Sequence, residues 1–218
     1  MLRALFEKTG NAVWMSHLDL MRLFQRAFKR ADLHLKHTQG FNPRPSVSIA
    51  LPMSVGVESV CELLDFELDG QELSCDEICR RLNDALVDGV TVREVYDTDR
   101  KIKHLAYLDC VLTLEYDHGV PAEAAERIHG LFEGGQVIVE KRSKNGLVEQ
   151  DIAPMIRNFR VDGGDSLLTV WARVCCQNPT LNPALIANAV ERYLPECRPD
   201  HVSYRRIEIY DTEETIFR

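Results

Sequence analysis

Apolar and polar residues alternate at the start of the chain, and the pattern then changes to that of an amphipathic helix. The alternation places Leu2, Ala4 and Phe6 on one side of a predicted strand. Ser16, followed three residues later by Asp19, has the spacing of a helix cap in which the hydroxyl accepts a backbone hydrogen bond. The predicted helix has an apolar stripe of Leu20, Leu23, Phe24, Ala27 and Ala31, and its other side collects Asp19, Arg22, Arg26, Lys29 and Arg30.

The elements that follow complete a β-α-β-β-α-β order. Ser74 and Glu77 repeat the cap spacing at the start of a second helix, and Gly89 provides its stop. This order predicts a ferredoxin-like unit, in which right-handed crossovers place two helices on one face of a four-stranded antiparallel sheet. The predicted strands after the first helix cover residues 46–52, 61–70 and 90–96, and the second helix lies within residues 74–89.

A charged connector follows near residue 100, and the same order then repeats. The sequence therefore predicts an α+β protein of two ferredoxin-like (βαββαβ) halves, residues 1–99 and 104–218, each an antiparallel sheet with helices on one face. An insertion lies between the middle strands of the second half; Asn145-Gly146 indicates a hairpin turn there, and residues 151–158 a short helix. The predicted strands of this half are 104–116, 136–142, 166–174 and 201–210, and the helices lie within 120–135 and 182–194.

Charge is distributed unevenly along the chain. The 218 residues carry a net charge of −8 and are 45% apolar, which is enough for a folded core. Residues 1–50 nevertheless hold eight Lys and Arg against three Asp and Glu, whereas residues 51–100 hold four against thirteen. A basic face that suits a polyanion is thus predicted on an acidic protein.

Several classes of protein and site are excluded by the motifs that are missing. No apolar run is long enough to span a bilayer and no signal-peptide core is present, so we expect no membrane association and a cytoplasmic location. The seven cysteines lack disulfide-framework spacing, and Cys75 and Cys79 lack the further ligands of a metal or iron–sulfur site. We therefore predict neither a metal nor a cofactor.

The start of the first helix is the first candidate site. Exposed N–H groups and the helix dipole favour an anion there, and Arg22 and Arg26, one turn apart, would extend such a site with guanidinium groups that match phosphate. His17 beside Asp19 could also act as a general acid or base. The structural alternative is that Asp19 pairs with Arg22 and that the basic side is merely solvated.

The segment "QGFNPRP" after this helix is the second candidate site. Pro43 and Pro45 restrict the residues before them and Gly40 permits a positive φ, so the segment is expected to be stiff. Phe41 could stack on a nucleobase, and Asn42 could read a polar edge. The structural alternative is that Phe41 closes one end of the core. The candidate nucleic-acid or anion-binding residues are Ser16, His17, Arg22, Arg26, Gln39, Phe41, Asn42 and Arg44.

Three stretches resemble the radical-SAM-linked protein family, a bacterial family of unknown function: "SHLDLMRLFQRAFKRADL", "TQGFNPRPSVSIALPMSVGVES" and "CELLDFEL". The resemblance implies a protein fused to, or encoded beside, a radical SAM protein, often near genes for RNA processing or ribosome components. The chain lacks the CxxxCxxC cysteines of a radical SAM enzyme, so it would be the separate partner. The matching positions are Ser16, His17, Leu18, Asp19, Arg22, Gly40, Phe41, Asn42, Pro43, Gly56, Glu62 and Asp65.

Three functions fit these observations. The leading hypothesis is an accessory protein that binds RNA or an RNA–protein substrate for a partner radical SAM enzyme. The first alternative is an enzyme that acts on RNA or nucleotides with His17 as the general acid or base, oriented by Asp19. The second is a protein–protein adaptor whose acidic stretch from Glu58 to Asp99 docks a basic partner. Whether Glu62 and Asp65 share the site with Arg22 is left open by the sequence.

Overall fold

The computed structural model describes residues 1–143 and 146–218, with side chains described outside residues 142–145. The described chain is a mixed α+β protein whose strand pairs are mostly antiparallel, with four α-helices among these residues. This confirms the predicted fold class at that level. It divides into two compact units, Met1–His104 with Arg218, and Leu105–Phe217. None of the described helices is long and apolar enough to cross a membrane.

The first unit is built on four antiparallel strands in the order β4-β1-β3-β2. A short 3-10 segment, Gly10–Trp14, joins the first strand to the first helix, and Ser16 and Ser74 cap the two helices by accepting the backbone N–H of the third residue beyond. Both predicted caps are therefore present. The elements are β1 (Leu2–Lys8), α1 (His17–Arg30), β2 (Val47–Ile49), β3 (Val57–Phe66), α2 (Cys75–Ala85) and β4 (Val90–Asp97).

Aromatic pairs fix α1 on the sheet of the first unit. The rings of Phe6 and Phe24 meet edge to face with centroids 4.8 Å apart, and those of Phe28 and Phe66 also lie 4.8 Å apart. All four side chains are buried, and burying a ring of this size stabilises by roughly 1.5–3 kcal/mol. Phe28 was not in the predicted stripe, although it follows Phe24 by one turn. The basic side of α1 consequently faces away from the core.

The second unit has four main strands in the order β10-β5-β9-β8 and a separate two-stranded hairpin. Its β5 alternates buried Leu108, Cys110, Leu112 and Leu114 with partly exposed residues, as a strand with one covered face requires. The elements are β5 (Leu105–Glu115), α3 (Ala124–Glu133), β6 (Ile138–Ser143), β7 (Gly146–Asp151), β8 (Ile156–Gly163), β9 (Leu167–Cys175), α4 (Ala184–Tyr193) and β10 (His201–Asp211).

One predicted strand of the second unit has a different role in the structure. Residues 136–142 were expected in the main sheet, but β6 pairs with β7 in the hairpin, and β8 lies beside β9 instead. The expected helix over 151–158 is wrong as well, because only a 3-10 turn at Ala153–Met155 precedes β8. A register shift with Asn158 at φ 49° interrupts the alternation of β8, which hides the strand from a period-two search. The predicted turn at Asn145 lies outside the described residues.

Gly89 is required by a close backbone approach at the start of β4. Its carbonyl accepts the N–H of Thr9, its φ is 85°, and an added Cβ would lie 2.4 Å from the Thr9 carbonyl oxygen. Any side chain at this position would push β4 away from the end of β1.

We expect Gly89→Ala to lower the free energy of unfolding by about 2–4 kcal/mol, because it combines a left-handed backbone with a clash against a fixed carbonyl. Gly70→Ala is the matched control, since Gly70 also has a positive φ but open space around its Cβ position. That control should cost only about 1 kcal/mol. Urea denaturation followed by circular dichroism measures both, and equal effects would contradict the close-approach explanation.

Candidate nucleic-acid interface

The start of α1 forms a compact polar cluster. The Ser16 hydroxyl oxygen accepts the N–H of Asp19 (3.2 Å), and the hydroxyl donates to the Asp19 carboxylate (2.7 Å). The same carboxylate accepts from the Arg22 guanidinium (3.1 Å). The bond from Ser16, followed by that from Arg22, lowers the pKa of Asp19 below its usual value. The structural alternative for Asp19 is thus observed, and part of the charge of Arg22 is balanced at short range.

His17 is not joined to Asp19. No hydrogen bond connects these two side chains in the described chain, and the Asp19 oxygens are occupied by Ser16 and Arg22. The Nδ1 atom of His17 is buried without a hydrogen-bond partner among the described residues. The geometry therefore does not assemble the orienting pair that the enzyme hypothesis needs.

Two cations on the outward side of α1 are available to an anionic ligand. Arg26 and Lys29 are exposed, and neither side chain takes part in a hydrogen bond or ion pair in the described structure. Arg30 instead donates to the carbonyl of Ala85 at the end of α2 (2.5 Å), so its charge helps to close that helix. Arg22 and Arg26 lie one turn apart on the exposed side, as the sequence predicted.

The segment from His37 to Pro45, called the Phe41 loop here, is closed at its base. His37 and Pro45 form an antiparallel bridge, the Thr38 N–H donates to the Arg44 carbonyl (2.9 Å), and the Arg44 N–H donates to the Thr38 hydroxyl (3.0 Å). Gly40 adopts a φ of 140° at the tip. These hydrogen bonds close the base of the loop and add to the restriction that the prolines impose, so they favour the predicted stiffness.

The chain on either side of the Phe41 loop is tied to the end of β3. The Lys36 N–H donates to the Glu67 carbonyl (2.8 Å), and the Ser46 N–H donates to the Lys36 carbonyl (2.7 Å). The ammonium of Lys36 also binds the Glu67 carboxylate at 2.9 Å, which raises the pKa of Lys36 and lowers that of Glu67. The loop thus projects from a fixed base.

Phe41 projects from the tip of this loop into solvent. Its relative exposure is 110%, so the ring does not close the core. The side chains of Gln39, Asn42 and Arg44 are also exposed and make no hydrogen bond to the described residues. No hydrogen bond or ion pair joins these side chains to Arg22 or Arg26 in the described chain. The candidate residues therefore form two groups, one on α1 and one on the loop.

Glu62 and Asp65 lie inside the first unit. Arg3 binds both carboxylate oxygens of Asp65, at 2.6 Å and 3.0 Å, and has no exposed surface. Glu62 is 2% exposed and accepts the hydroxyl of Ser59 (2.7 Å). Neither carboxylate is a partner of Arg22, and neither is placed to dock a basic protein as the adaptor hypothesis expected.

Two exposed apolar residues near the α1 cap were not among the predicted binding residues. Trp14 is 69% exposed and Leu18 is 64% exposed, and the Trp14 ring lies against Gly56. The sequence indicated that Leu18 would be exposed, because Leu18 does not belong to the apolar stripe that begins at Leu20. Trp14 stands two residues before the Ser16 cap, and no pattern in the sequence marks it as exposed.

The described residues contain no group of three metal-ligating side chains, and the seven cysteines form no disulfide. Burial is the main cause that raises the pKa of the Cys75 and Cys79 thiols on α2. Both cysteines therefore have the character of small packing residues.

One protein family matches most of the chain in sequence. The family described as "Uncharacterized protein conserved in bacteria (DUF2344)" matches residues 1–183. The chain belongs to this family. This match confirms the prediction, made from the three stretches above, that the chain belongs to a bacterial family of unknown function. The link to a radical SAM protein stays a prediction.

Solved structures resemble the chain only at low identity. A chain of a Cbf5-Nop10-Gar1 complex matches with a TM-score of 0.49 and 14% identity, over 95% of this chain and 48% of that one, so this chain spans about half its length. An unknown protein from Galdieria sulphuraria matches with a TM-score of 0.27 and 11% identity, over 94% and 95% of the two chains. No curated protein gives a significant match. Neither structural likeness supports a conclusion about function.

We expect Asp65→Ala to lower the free energy of unfolding by about 3–5 kcal/mol, because it breaks a buried ion pair and removes both carboxylate bonds from Arg3. Glu67→Ala serves as the control, since its ion pair with Lys36 is exposed and should contribute at most about 1 kcal/mol. Both values come from urea denaturation. A small effect of Asp65→Ala would show that the ion pair with Arg3 does not stabilise the fold, and Asp65 would again be a candidate binding residue.

Proposed function

We propose that this protein binds RNA, alone or within an RNA–protein assembly, and presents it to a partner enzyme of the radical SAM class. The observation that carries the proposal is the fully exposed ring of Phe41 at the tip of a loop closed by its own hydrogen bonds. An exposed phenylalanine gains nothing for the fold, whereas stacking a base on such a ring is worth about 1–3 kcal/mol.

The closed base of the Phe41 loop favours binding over a purely structural role. A loop that is ordered before it meets a ligand loses little conformational entropy on binding. Gln39 and Asn42 stand within two residues of Phe41 and present exposed amide groups, which can hydrogen bond to the edges of an unpaired base. We assign Phe41 to stacking and Asn42 to a polar base edge.

Exposed arginines would contact the phosphates. Arg44 lies at the base of the Phe41 loop, and Arg22 and Arg26 lie on the outward side of α1. Arginine matches phosphate geometry with two parallel hydrogen bonds. Because Arg22 is already shared with Asp19, we expect Arg26 and Arg44 to contribute more than Arg22.

The proposal also includes a partner enzyme, a cytoplasmic location and the fold of each unit. The chain lacks radical SAM cysteines, and its resemblance to the radical-SAM-linked family suggests that another chain supplies them. Seven cysteines that form no disulfide in the described structure suit the reducing cytoplasm. We also propose that each unit is a ferredoxin-like half, which the orders β4-β1-β3-β2 and β10-β5-β9-β8 support.

We expect Phe41→Ala to weaken binding of fluorescein-labelled single-stranded RNA about 5- to 150-fold, because a base loses its stacking partner. Fluorescence anisotropy across a salt series measures the affinity. Arg44→Ala should lower the salt dependence by about 0.7 in the log–log slope, as expected for one lost phosphate contact.

Phe41→Tyr should keep near wild-type affinity, because it retains an aromatic face. Val87→Ala is a control for loss of an exposed apolar side chain elsewhere in the first unit. RNA binding that is equal for wild type and Phe41→Ala, or that does not respond to salt, would refute the role of the loop.

The partner is tested by pull-down of the tagged protein from its native cells, with half of the sample treated with nuclease. We expect a radical SAM protein to be retained in both halves and a defined RNA to be enriched in the untreated half. Retention of the enzyme only in the untreated half would show that RNA bridges the two proteins. Enrichment of neither would refute the proposal.

A further inference from the structure

The main sheet of the second unit has one apolar face and one polar face. Along β9, Leu168, Val170, Ala172 and Val174 are buried, while the residues between them are partly or fully exposed. The buried residues of α3 and α4 belong to the apolar side, and α3 packs against β8. The other face carries the outward side chains of all four strands.

One row across this outward face combines an aromatic ring with two arginines. The strand registers place Arg160 of β8 opposite Trp171 of β9, Trp171 opposite Val111 of β5, and Val111 opposite Arg205 of β10. Neighbouring strands lie about 4.8 Å apart, so the row spans roughly 14 Å. Two guanidinium groups therefore flank a single indole ring at a spacing that a short stretch of polynucleotide can bridge.

The central ring and both flanking charges are accessible. Trp171 is 38% exposed, and the guanidinium carbon of Arg160 lies 5.4 Å from its ring centre. Arg205 is exposed and has no ion pair in the described chain. The bond from Arg160 to Asp162 (2.9 Å) joins two side chains that are more than half exposed, so a phosphate can compete for it.

The rows on either side carry hydroxyl groups and carboxylates, and most of these carboxylates are paired with arginines. On one side, Thr169, Thr113 and Ser203 continue the register with neutral hydroxyl groups, and Asp162, opposite Thr169 on β8, is the carboxylate that pairs with Arg160. On the other, Arg173 binds both oxygens of Asp109 at 2.7 Å and 2.9 Å. The Glu214 carboxylate there is likewise shared between Arg157 and Arg173. Asp109 and Glu214 are thus each paired with arginine, while Glu208, opposite Asp109 on β10, accepts the N–H of Ile209.

We infer that this face, called the Trp171 face, binds single-stranded RNA, with a base stacked on Trp171 and phosphates on Arg160 and Arg205. The occupant follows from the charge complementarity and the exposed ring, which together match the stacking and phosphate contacts of single-strand binding. The inference rests on the proposed function for the identity of the polymer as RNA. It adds a second contact surface on a different unit from the Phe41 loop.

The test uses the full chain and the intrinsic fluorescence of Trp171. The sequence contains two tryptophans, so Trp14→Phe leaves Trp171 as the only reporter. Titration with oligouridine of about 15 nucleotides, within the range that single-strand surfaces accommodate, should quench this emission as a base stacks on the ring. Deoxythymidine of the same length is the second probe.

Matched substitutions test the same face without relying on that reporter. Trp171→Ala should weaken oligouridine binding by about 5- to 150-fold, and Trp171→Phe should restore most of it. Arg205→Ala should lower the salt slope by about 0.7, whereas Arg198→Ala, which removes an arginine paired with Glu191 elsewhere in the unit, should leave it unchanged.

Each outcome separates this inference from the proposed role of the loop. Binding that is weakened by Phe41→Ala but not by Trp171→Ala, without quenching, overturns the Trp171 face and leaves the loop in place. Quenching with loss of affinity in Trp171→Ala supports the face even if Phe41→Ala has no effect. Quenching by deoxythymidine alone overturns the assignment to RNA. Failure of the wild-type chain to bind oligouridine overturns the Trp171 face, whereas the role of the loop is decided separately by the pull-down and the Phe41→Ala titration.

Discussion

A buried lysine sets the path of the chain between the first strand and the first helix. Lys8 has no exposed surface, and its ammonium donates to the carbonyls of Val13 (3.0 Å) and Met15 (3.2 Å). The N–H of Gly56 also reaches the Val13 carbonyl (2.8 Å). A buried ammonium is stable only when its hydrogen bonds are satisfied, so this arrangement closes the 3-10 segment in one geometry. Ser16 then stands where it caps α1, and the basic side of that helix faces solvent.

The first unit relies on a second buried cation, Arg3, on the same strand. Its two bonds to Asp65 join β1 to β3 across the sheet, and a third reaches the carbonyl of Arg100 (2.7 Å). Because β1 buries Arg3 directly beside Ala4, and consecutive strand residues point to opposite faces, both faces are covered at this part of the strand. In the second unit Arg157 and Arg160 lie over aromatic rings instead, with side chains that are 49% and 62% exposed. The buried Arg3 therefore stabilises the fold, whereas the exposed arginines of the second unit can contact a ligand.

Local signals predicted much of the fold. Ser16 and Ser74 cap their helices as expected because a cap depends only on residues within one turn. The strand β8 was missed because its register shift breaks the alternation on which strand prediction depends. For the candidate site, the sequence indicated the stiffness of the Phe41 loop but not the hydrogen bonds between Thr38 and Arg44 that close it. Trp171 was assigned to a strand and given no role, since its partners come from three other strands.

The sequence by itself determined the caps, the helical stripes, the order of most elements and the presence of cations near Phe41, because each is encoded over a few consecutive residues. Only the tertiary structure decided that Phe41 is exposed, that Asp65 is committed to Arg3, and that Trp171 lies between Arg160 and Arg205. These facts depend on strand register and burial, which bring residues together from distant parts of the chain. The sequence alone does not show whether a charged side chain is buried in an ion pair or exposed where it can bind a phosphate.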